Sequence, residues 1–126
     1  MDPKLTERVL SAAFEVSNTL GAGFLEKVYQ RALLAEFRLR GISARPEVSF
    51  PVHYKGQLVG EYFADLVVED VLVLELKCVD RLAPEHTAQC LNYLKASNLS
   101  LCLLINFQHP KLEWKRIAGQ NLSAVS

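Results

Sequence analysis

The stretch ADLVVEDVLVLELK, residues 64–77, decides the fold of this protein. Most of it is Val and Leu, which is typical of strands that are buried on both faces. Three charged side chains that matter here interrupt the apolar run: Asp65, Glu75 and Lys77. Since a buried charge without a partner costs free energy, these positions indicate either paired charges or a chemical use for them.

The dipeptide Glu69-Asp70 divides this stretch into two strands of a hairpin. Side chains alternate between the two faces of a strand, so Glu75 and Lys77 share a face. Whether Asp65 joins them depends on the length of the turn. A two-residue turn sends Glu75 to the face opposite Asp65. A three-residue loop, or a bulge, pairs position 65 with position 75 and brings the three charged groups together.

The rest of the chain frames this hairpin with helices and further strands. Apolar residues recur at helical spacing from Leu5 to Leu20 and from about Leu25 to Arg40, and a glycine follows each segment. Alternation predicts a strand over 47–54, at a sheet edge because Pro51 cannot donate to a ladder. A second strand, a third strand, a third helix, a buried strand and a short last strand follow at about 58–68, 71–78, 83–96, 99–107 and 113–117.

This order of elements predicts an α/β fold with a mixed central sheet flanked by helices. A buried strand, a helix and another buried strand imply a parallel, right-handed βαβ unit. The chain has 126 residues, of which 50% are hydrophobic and 22% charged. These values are typical of a globular protein, so we expect one domain over 1–126.

Composition excludes several classes of protein. The formal net charge is zero, which argues against a wholly basic coat for nucleic acid. No apolar run approaches the roughly 18 residues of a membrane helix, so we expect no membrane partner. The three cysteines lack metal-ligand spacing, and the first residues lack the features of a signal peptide. Free thiols suit a reducing compartment, so we expect a cytoplasmic protein.

Two carboxylates on neighbouring strands predict a site for a divalent cation. Close carboxylates raise one another's pKa, and a bound cation relieves their repulsion. Oxygen ligands favour Mg²⁺ or Mn²⁺ over zinc. The structural alternative is an ion pair between Glu75 and Lys77 on a half-exposed strand, with Asp65 near a loop.

An Asp, a spacer of about ten residues and Glu-x-Lys on consecutive strands resemble the active site of the PD-(D/E)XK nuclease superfamily. The segment GFLEKVY, with Gly23, Glu26 and Tyr29, is similar to the G-x-x-E-x-x-Y signature of a family of small proteins within that superfamily. The resemblance runs from about residue 5 to 117 and includes ELK, HTAQCLNYL and LLINF, at 75–77, 86–94 and 103–107. It implies a restriction-endonuclease-like αβββαβ core with an extra N-terminal helix.

The resemblance also implies roles for individual positions. Asp65 and Glu75 correspond to the metal-binding acids, with the Leu76 carbonyl as a further ligand. Lys77 corresponds to the catalytic lysine that orients or deprotonates the attacking water. Glu26 corresponds to an acid that many members contribute from the helix before the sheet. The implied catalytic set is therefore Lys77, Glu75, Asp65 and Glu26, with Tyr29 in support.

The third helix carries further candidates. Gln89 and Tyr93 form a Q-x-x-x-Y that resembles a motif supporting the site in some nuclease branches, and His86 falls on the same helical face. The structural alternative for Tyr93 is core packing with a hydrogen-bonded Gln89. For Glu26 the alternative is a capping box, with Gly23 as the N-cap.

Three functions follow from this sequence. The resemblance implies a nuclease that hydrolyses DNA or RNA with Mg²⁺ or Mn²⁺. The alternative is a catalytically silent module of the same fold that binds nucleic acid or a protein partner, which the neutral charge and small size favour. The third is a pure interaction subunit, in the form of a homodimer through the first two helices.

Overall fold

A computed structural model describes residues 2–119 of the chain as helices packed on a mixed sheet. The elements are α1 (Leu5–Leu20), α2 (Glu26–Leu39), β1 (Ala44–Tyr54), β2 (Gln57–Val68), β3 (Leu72–Lys77), α3 (Pro84–Ser97), β4 (Leu101–Asn106) and β5 (Glu113–Ala118). This order confirms the predicted αβββαβ core with an additional N-terminal helix. The domain predicted over 1–126 also includes residue 1 and residues 120–126, which lie outside the described residues.

The strands form one sheet in the order β1-β2-β3-β4-β5. β3 and β4 run parallel and are joined through α3, whereas the other neighbouring pairs are antiparallel. β1 lies at an edge, as Pro51 predicts, and β3 lies at the centre with five of its six residues buried. The predicted parallel βαβ unit is therefore confirmed, and its right-handed crossover stays a prediction.

Helices cover both faces of the sheet. The larger core lies under α1 and α2 and includes Leu72, Leu74 and Leu76 of β3. The smaller core lies under α3 and includes Val73 of the same strand. The odd-numbered side chains of β3, Glu75 among them, therefore face α3. Among residues 2–119, none of the helices has the length and apolar character needed to cross a membrane.

Several boundaries differ from the sequence prediction by one to three residues, and three of them concern β1, β3 and α2. β1 begins at Ala44 rather than at 47 because its first residues pair with the end of β2. β3 begins at Leu72, since Val71 belongs to the preceding loop. α2 begins at Glu26, one residue later than expected.

Candidate active site

The β2–β3 turn contains three residues, and this odd number brings the charged groups together. Val68 pairs with Leu72, so residues 69–71 form the loop. Its first two residues adopt the left-handed backbone, with φ of 53° and 57°. Continuing this register along the hairpin places Asp65 opposite Glu75. Of the two registers that the sequence leaves open, the structure has the one in which the two acids meet.

β2 and β3 separate just beyond the pair of Leu66 and Leu74. At this fork the N–H of Leu76 donates to Asp65 Oδ2 at 2.7 Å. The carboxylate thus takes the place of a ladder partner, because β2 no longer runs beside β3 there. This contact anchors Asp65 at the point where the two strands diverge.

The alternation of β2 breaks at Asp65. The pairs on either side of Glu47 and Asp65 are intact, but these two residues do not form a ladder pair, and Glu47 has a φ of 52°. Leu66 lies in the core under α1 and α2, whereas Ala64 lies with Val67 in the core under α3. Strand irregularities of this kind re-aim side chains and are common beside active sites.

Gln30 on α2 supports this irregularity. Its side chain is 5% exposed, and its Nε2 donates to the Asp65 carbonyl oxygen at 2.8 Å and to Glu47 Oε1 at 3.0 Å. Lys27 forms an ion pair with Glu47. Together, Lys27 and Gln30 hold the pKa of Glu47 below its usual value. Gln30 could not be predicted from the sequence, because helical periodicity does not reveal which polar residue beside an apolar stripe reaches a distant strand.

Glu75 is a buried carboxylate with an unused oxygen. It is 3% exposed, and its Oε2 has no hydrogen-bond partner among the described residues. Burial raises its pKa to about 9, and the adjacent Asp65 carboxylate contributes to the increase. The Tyr93 hydroxyl and the Lys77 ammonium act in the opposite direction. A bound cation relieves the repulsion between two close carboxylates, one of which is desolvated here.

Lys77 and Tyr93 complete the surroundings of Glu75. Lys77 is half-buried and lies two residues further along β3, on the same face. Gln89 Nε2 donates to the Tyr93 hydroxyl oxygen at 3.1 Å, which leaves the hydroxyl proton available for Glu75. Burial and the charge of Glu75 raise the pKa of Tyr93. The structure thus joins the predicted pair on α3 to the buried acid.

Glu26 lies at the rim of the site. It is the first residue of α2, and the N-cap position is Leu25, which makes no side-chain capping bond. The alternative of a capping box with Gly23 as N-cap is therefore wrong, because the helix begins three residues after Gly23 and puts Glu26 in its first position. Glu26 instead lines a cavity of about 100 Å³ together with Asp65 and Leu76.

The chemistry of these donors fits Mg²⁺ or Mn²⁺. Asp65 and Glu75 supply carboxylate oxygens, one of them unsatisfied. Because the N–H of Leu76 points to Asp65, strand geometry places the Leu76 carbonyl on the same edge of β3. Within residues 2–119 no three Asp, Glu, His or Cys side chains stand close enough to form a metal-binding group, so Glu26 does not join the other two acids. The available set is two carboxylates and a main-chain carbonyl, all hard ligands.

Tyr29 and His86 make structural contacts near the site. Tyr29 is fully buried, stacks on Phe107 with ring centroids 4.5 Å apart, and donates its hydroxyl to the Gly21 carbonyl at 2.6 Å. It thereby anchors the loop that precedes α2. His86 Nδ1 accepts the N–H of Ala83 at 2.9 Å at the start of α3. The roles of both residues in the chemistry stay predictions.

Asn106 is a second supporting residue that was not among the predicted site residues. It is buried at the end of β4, and its Nδ2 donates to the Val79 carbonyl at 2.7 Å and to Glu113 Oε1 at 2.9 Å. Its Oδ1 accepts the Val79 N–H at 3.0 Å. These bonds hold the chain that follows Lys77. The sequence contains a signal for this residue, since Asn106 is the polar end of an otherwise apolar strand.

Comparisons with known proteins agree with this fold. A family model described as the PD-(D/E)XK nuclease superfamily matches residues 3–117. The crystal structure of SSO0001 has a TM-score of 0.58 at 13% identity, and the match covers 91% of this chain and 77% of that one. An alkaline exonuclease, LHK-Exo from Laribacter hongkongensis, has a TM-score of 0.51 at 12% identity over 95% and 86%.

A second structure of LHK-Exo, in complex with dAMP, has a TM-score of 0.50 at 12% identity and covers 90% of this chain and 80% of that one. At these identities the structural neighbours show the fold alone. Among curated proteins none matches the sequence.

Proposed function

This chain belongs to the PD-(D/E)XK nuclease superfamily, and from that premise we propose that it is a metal-dependent nuclease that hydrolyses phosphodiester bonds in DNA or RNA. The buried Glu75 carboxylate carries the proposal, since its Oε2 has no hydrogen-bond partner among the described residues and the carboxylate interacts with Asp65 and Lys77. A buried polar atom without a partner lowers stability by about 1–3 kcal/mol, so a carboxylate in this state does not serve a purely structural core. Strongly shifted acids of this kind cluster at functional sites.

Asp65 and Glu75 would hold Mg²⁺ or Mn²⁺, with the Leu76 carbonyl as a further ligand and Glu26 at the rim of the cavity. When bound, the ion lowers the pKa of a coordinated water and neutralises charge on the phosphate. The protein's own contribution is to hold two carboxylates at the strand fork before any ion binds. The Leu76 N–H fixes one of them, and burial fixes the other.

Lys77 would orient the attacking water or take its proton, and its ammonium would offset charge on the phosphate. It is suited to this role because it lies at the end of β3 and its charge already acts on Glu75. Tyr93 would orient Glu75 through its hydroxyl, and Gln89 in turn holds that hydroxyl.

The finer assignment is to the family named for the G-x-x-E-x-x-Y signature. Tyr29 anchors the loop before α2, and Glu26 lines the cavity at Asp65, so two signature residues bear on the site. The structural neighbours include an alkaline exonuclease and its complex with dAMP, which supports nucleic acid as the substrate class.

The decisive experiment removes the ammonium of Lys77. We expect Lys77→Ala to lower the cleavage rate by about 100-fold or more, because a positioned proton-transfer group contributes about 10²–10⁴ in rate. Cleavage of end-labelled single- and double-stranded DNA and RNA would be measured with Mg²⁺, Mn²⁺ or EDTA. Lys55→Ala is the matched control, because Lys55 is exposed at the turn between β1 and β2.

Full activity of the Lys77→Ala protein would remove this residue from the mechanism. A wild-type protein that binds Mn²⁺ in titration calorimetry but cleaves none of the four substrates would identify a catalytically silent binding module instead.

A further inference from the structure

A second, larger cavity adjoins the candidate active site. Its volume is about 520 Å³, and it lies where the parallel strands β3 and β4 end and α2 begins. We name it the α2 groove, and it is lined by residues 23–27, Cys78 and Gln108. Ligands of open α/β sheets bind outside the carboxyl ends of parallel strands, and small-molecule sites measure about 300–1,000 Å³. Position and size therefore both suit a ligand.

The α2 groove lies next to the small cavity at Asp65. Glu26 and Lys27 line both of them. A nucleic-acid strand whose phosphate lies at Asp65 and Glu75 therefore directs the neighbouring nucleoside along the start of α2. The α2 groove is where that nucleoside would lie.

Phe24 offers an aromatic face in this groove on a fixed backbone. Its side chain is 47% exposed, although its N–H donates to the Tyr29 hydroxyl at 3.3 Å and its ring packs edge-on against Tyr29 with centroids 6.2 Å apart. The Cys78 thiol also donates to the Phe24 carbonyl at 3.7 Å. A rigid, exposed aromatic ring is the type of surface on which nucleobases stack.

The polar lining of the groove suits a neutral base better than a phosphate. Glu26 carries a negative charge, and the ammonium of Lys27 forms an ion pair with Glu47. The side chain of Gln108 makes no hydrogen bond within the part of the chain that the structure describes. A carboxamide supplies both a donor and an acceptor, which is what the edge of a base requires.

We propose that the α2 groove binds an unpaired nucleobase next to the scissile phosphate, stacked on Phe24 with its edge at Gln108. The inference rests on the proposed function for the position of the phosphate. Bases in a duplex are stacked and paired, and taking one out of the stack costs a few kcal/mol, a cost that a single strand or a frayed end largely avoids. The substrate class is therefore single-stranded nucleic acid or the end of a duplex.

The thiol of Cys78 provides a reporter of occupancy that does not depend on cleavage. Cys78 is partly exposed in the groove, whereas Cys90 and Cys102 are buried. The rate of N-ethylmaleimide labelling would be measured by mass spectrometry in EDTA, with oligothymidylate or with an abasic decamer of equal phosphate number. At ten times its Kd, oligothymidylate should slow labelling about tenfold, because the free fraction falls to about one in eleven. Cys78→Ser assigns the reactive thiol.

Variants of Phe24 test the stacking itself. Phe24→Ala should weaken binding of oligothymidylate about 5- to 100-fold in a fluorescence-polarisation titration in EDTA, whereas Phe24→Trp should retain it. Phe14→Ala is the matched control, because Phe14 is an aromatic residue of similar exposure, 42%, on α1 outside the groove.

Three results would overturn the base site. They are equal protection of Cys78 by the abasic decamer, no protection while polarisation shows bound oligothymidylate, and no binding at the highest soluble concentration. None of them depends on hydrolysis, which the Lys77 assay measures separately, so failure of the groove and failure of the nuclease remain distinguishable.

Discussion

Glu75 is the residue at which stability and the proposed chemistry conflict. Its carboxylate is buried beside Asp65, and its pKa is raised to about 9. We expect Glu75→Gln to abolish metal-dependent cleavage and to raise the free energy of unfolding by about 1–3 kcal/mol at pH 7 in EDTA. Urea denaturation measures the second effect. Glu85→Gln, an exposed change on α3, is the control and should have little effect.

The same residue sets a direction for the pH dependence of stability. Folding raises the pKa of Glu75 from 4.5 to about 9, so between these values the unfolded chain has released a proton that the folded chain retains. The free energy of unfolding therefore falls as pH rises through this window, by up to about 1.4 kcal/mol per pH unit. Denaturation in EDTA should show this decline in the wild type and a smaller one in Glu75→Gln. Equal slopes would contradict the assignment.

Gln30 is the second residue whose role can be measured. Gln30→Leu leaves the Asp65 carbonyl and Glu47 without their amide donor. We expect a loss of about 1–3 kcal/mol in the free energy of unfolding and a slower cleavage rate, because Asp65 loses its support. The control is Gln57→Leu at the exposed start of β2. Unchanged cleavage by a destabilised Gln30→Leu protein would show that the amide supports the fold alone.

At the scale of elements, the three-residue β2–β3 loop sets the register on which the site depends. Asp70 has a φ of 57° in this loop, and its side chain forms an exposed ion pair with Arg45 at 2.8 Å. We expect Asp70→Val to cost about 1–2 kcal/mol, because a β-branched residue is strained in the left-handed region.

Asp70→Gly should cost little, since glycine adopts this conformation freely and the exposed ion pair contributes little. Urea denaturation of the two variants compares the backbone effect directly. Equal stabilities of Asp70→Val and Asp70→Gly would show that the left-handed backbone at position 70 does not determine which residue is tolerated there.

At the scale of the whole molecule, the site lies where the sheet forks between its two cores. The two acids reach it from neighbouring strands, β2 and β3, so an ion bound there should stabilise the folded chain as a whole. We expect Mn²⁺ at about 100 times its Kd to raise the free energy of unfolding by about 2.7 kcal/mol. Differential scanning fluorimetry measures the shift, which EDTA should reverse.

The response to Mn²⁺ should disappear in Asp65→Asn and persist in Glu85→Gln, which retains both proposed ligands. A wild-type melting temperature that does not change at millimolar Mn²⁺ would argue against a metal site at the fork.

The amount that could be predicted from the sequence differs between these scales. The order of elements, the parallel β3–β4 unit and the shared face of Glu75 and Lys77 follow from periodicity and are confirmed in the fold. The pairing of Gln89 with Tyr93 follows from their i, i+4 spacing and is present at 3.1 Å. The capping alternative for Glu26 was wrong, because helix ends are poorly marked by periodicity.

The sequence by itself determined which segments form helices and strands and which of their faces are buried, because each such property repeats over a few neighbouring residues. The tertiary structure alone decided that Asp65 meets Glu75, since both turn lengths were compatible with the same residues. It also decided that Gln30, 35 residues away along the chain, holds the Asp65 carbonyl. Contacts between distant segments depend on how whole elements pack, and no local pattern in the chain records them.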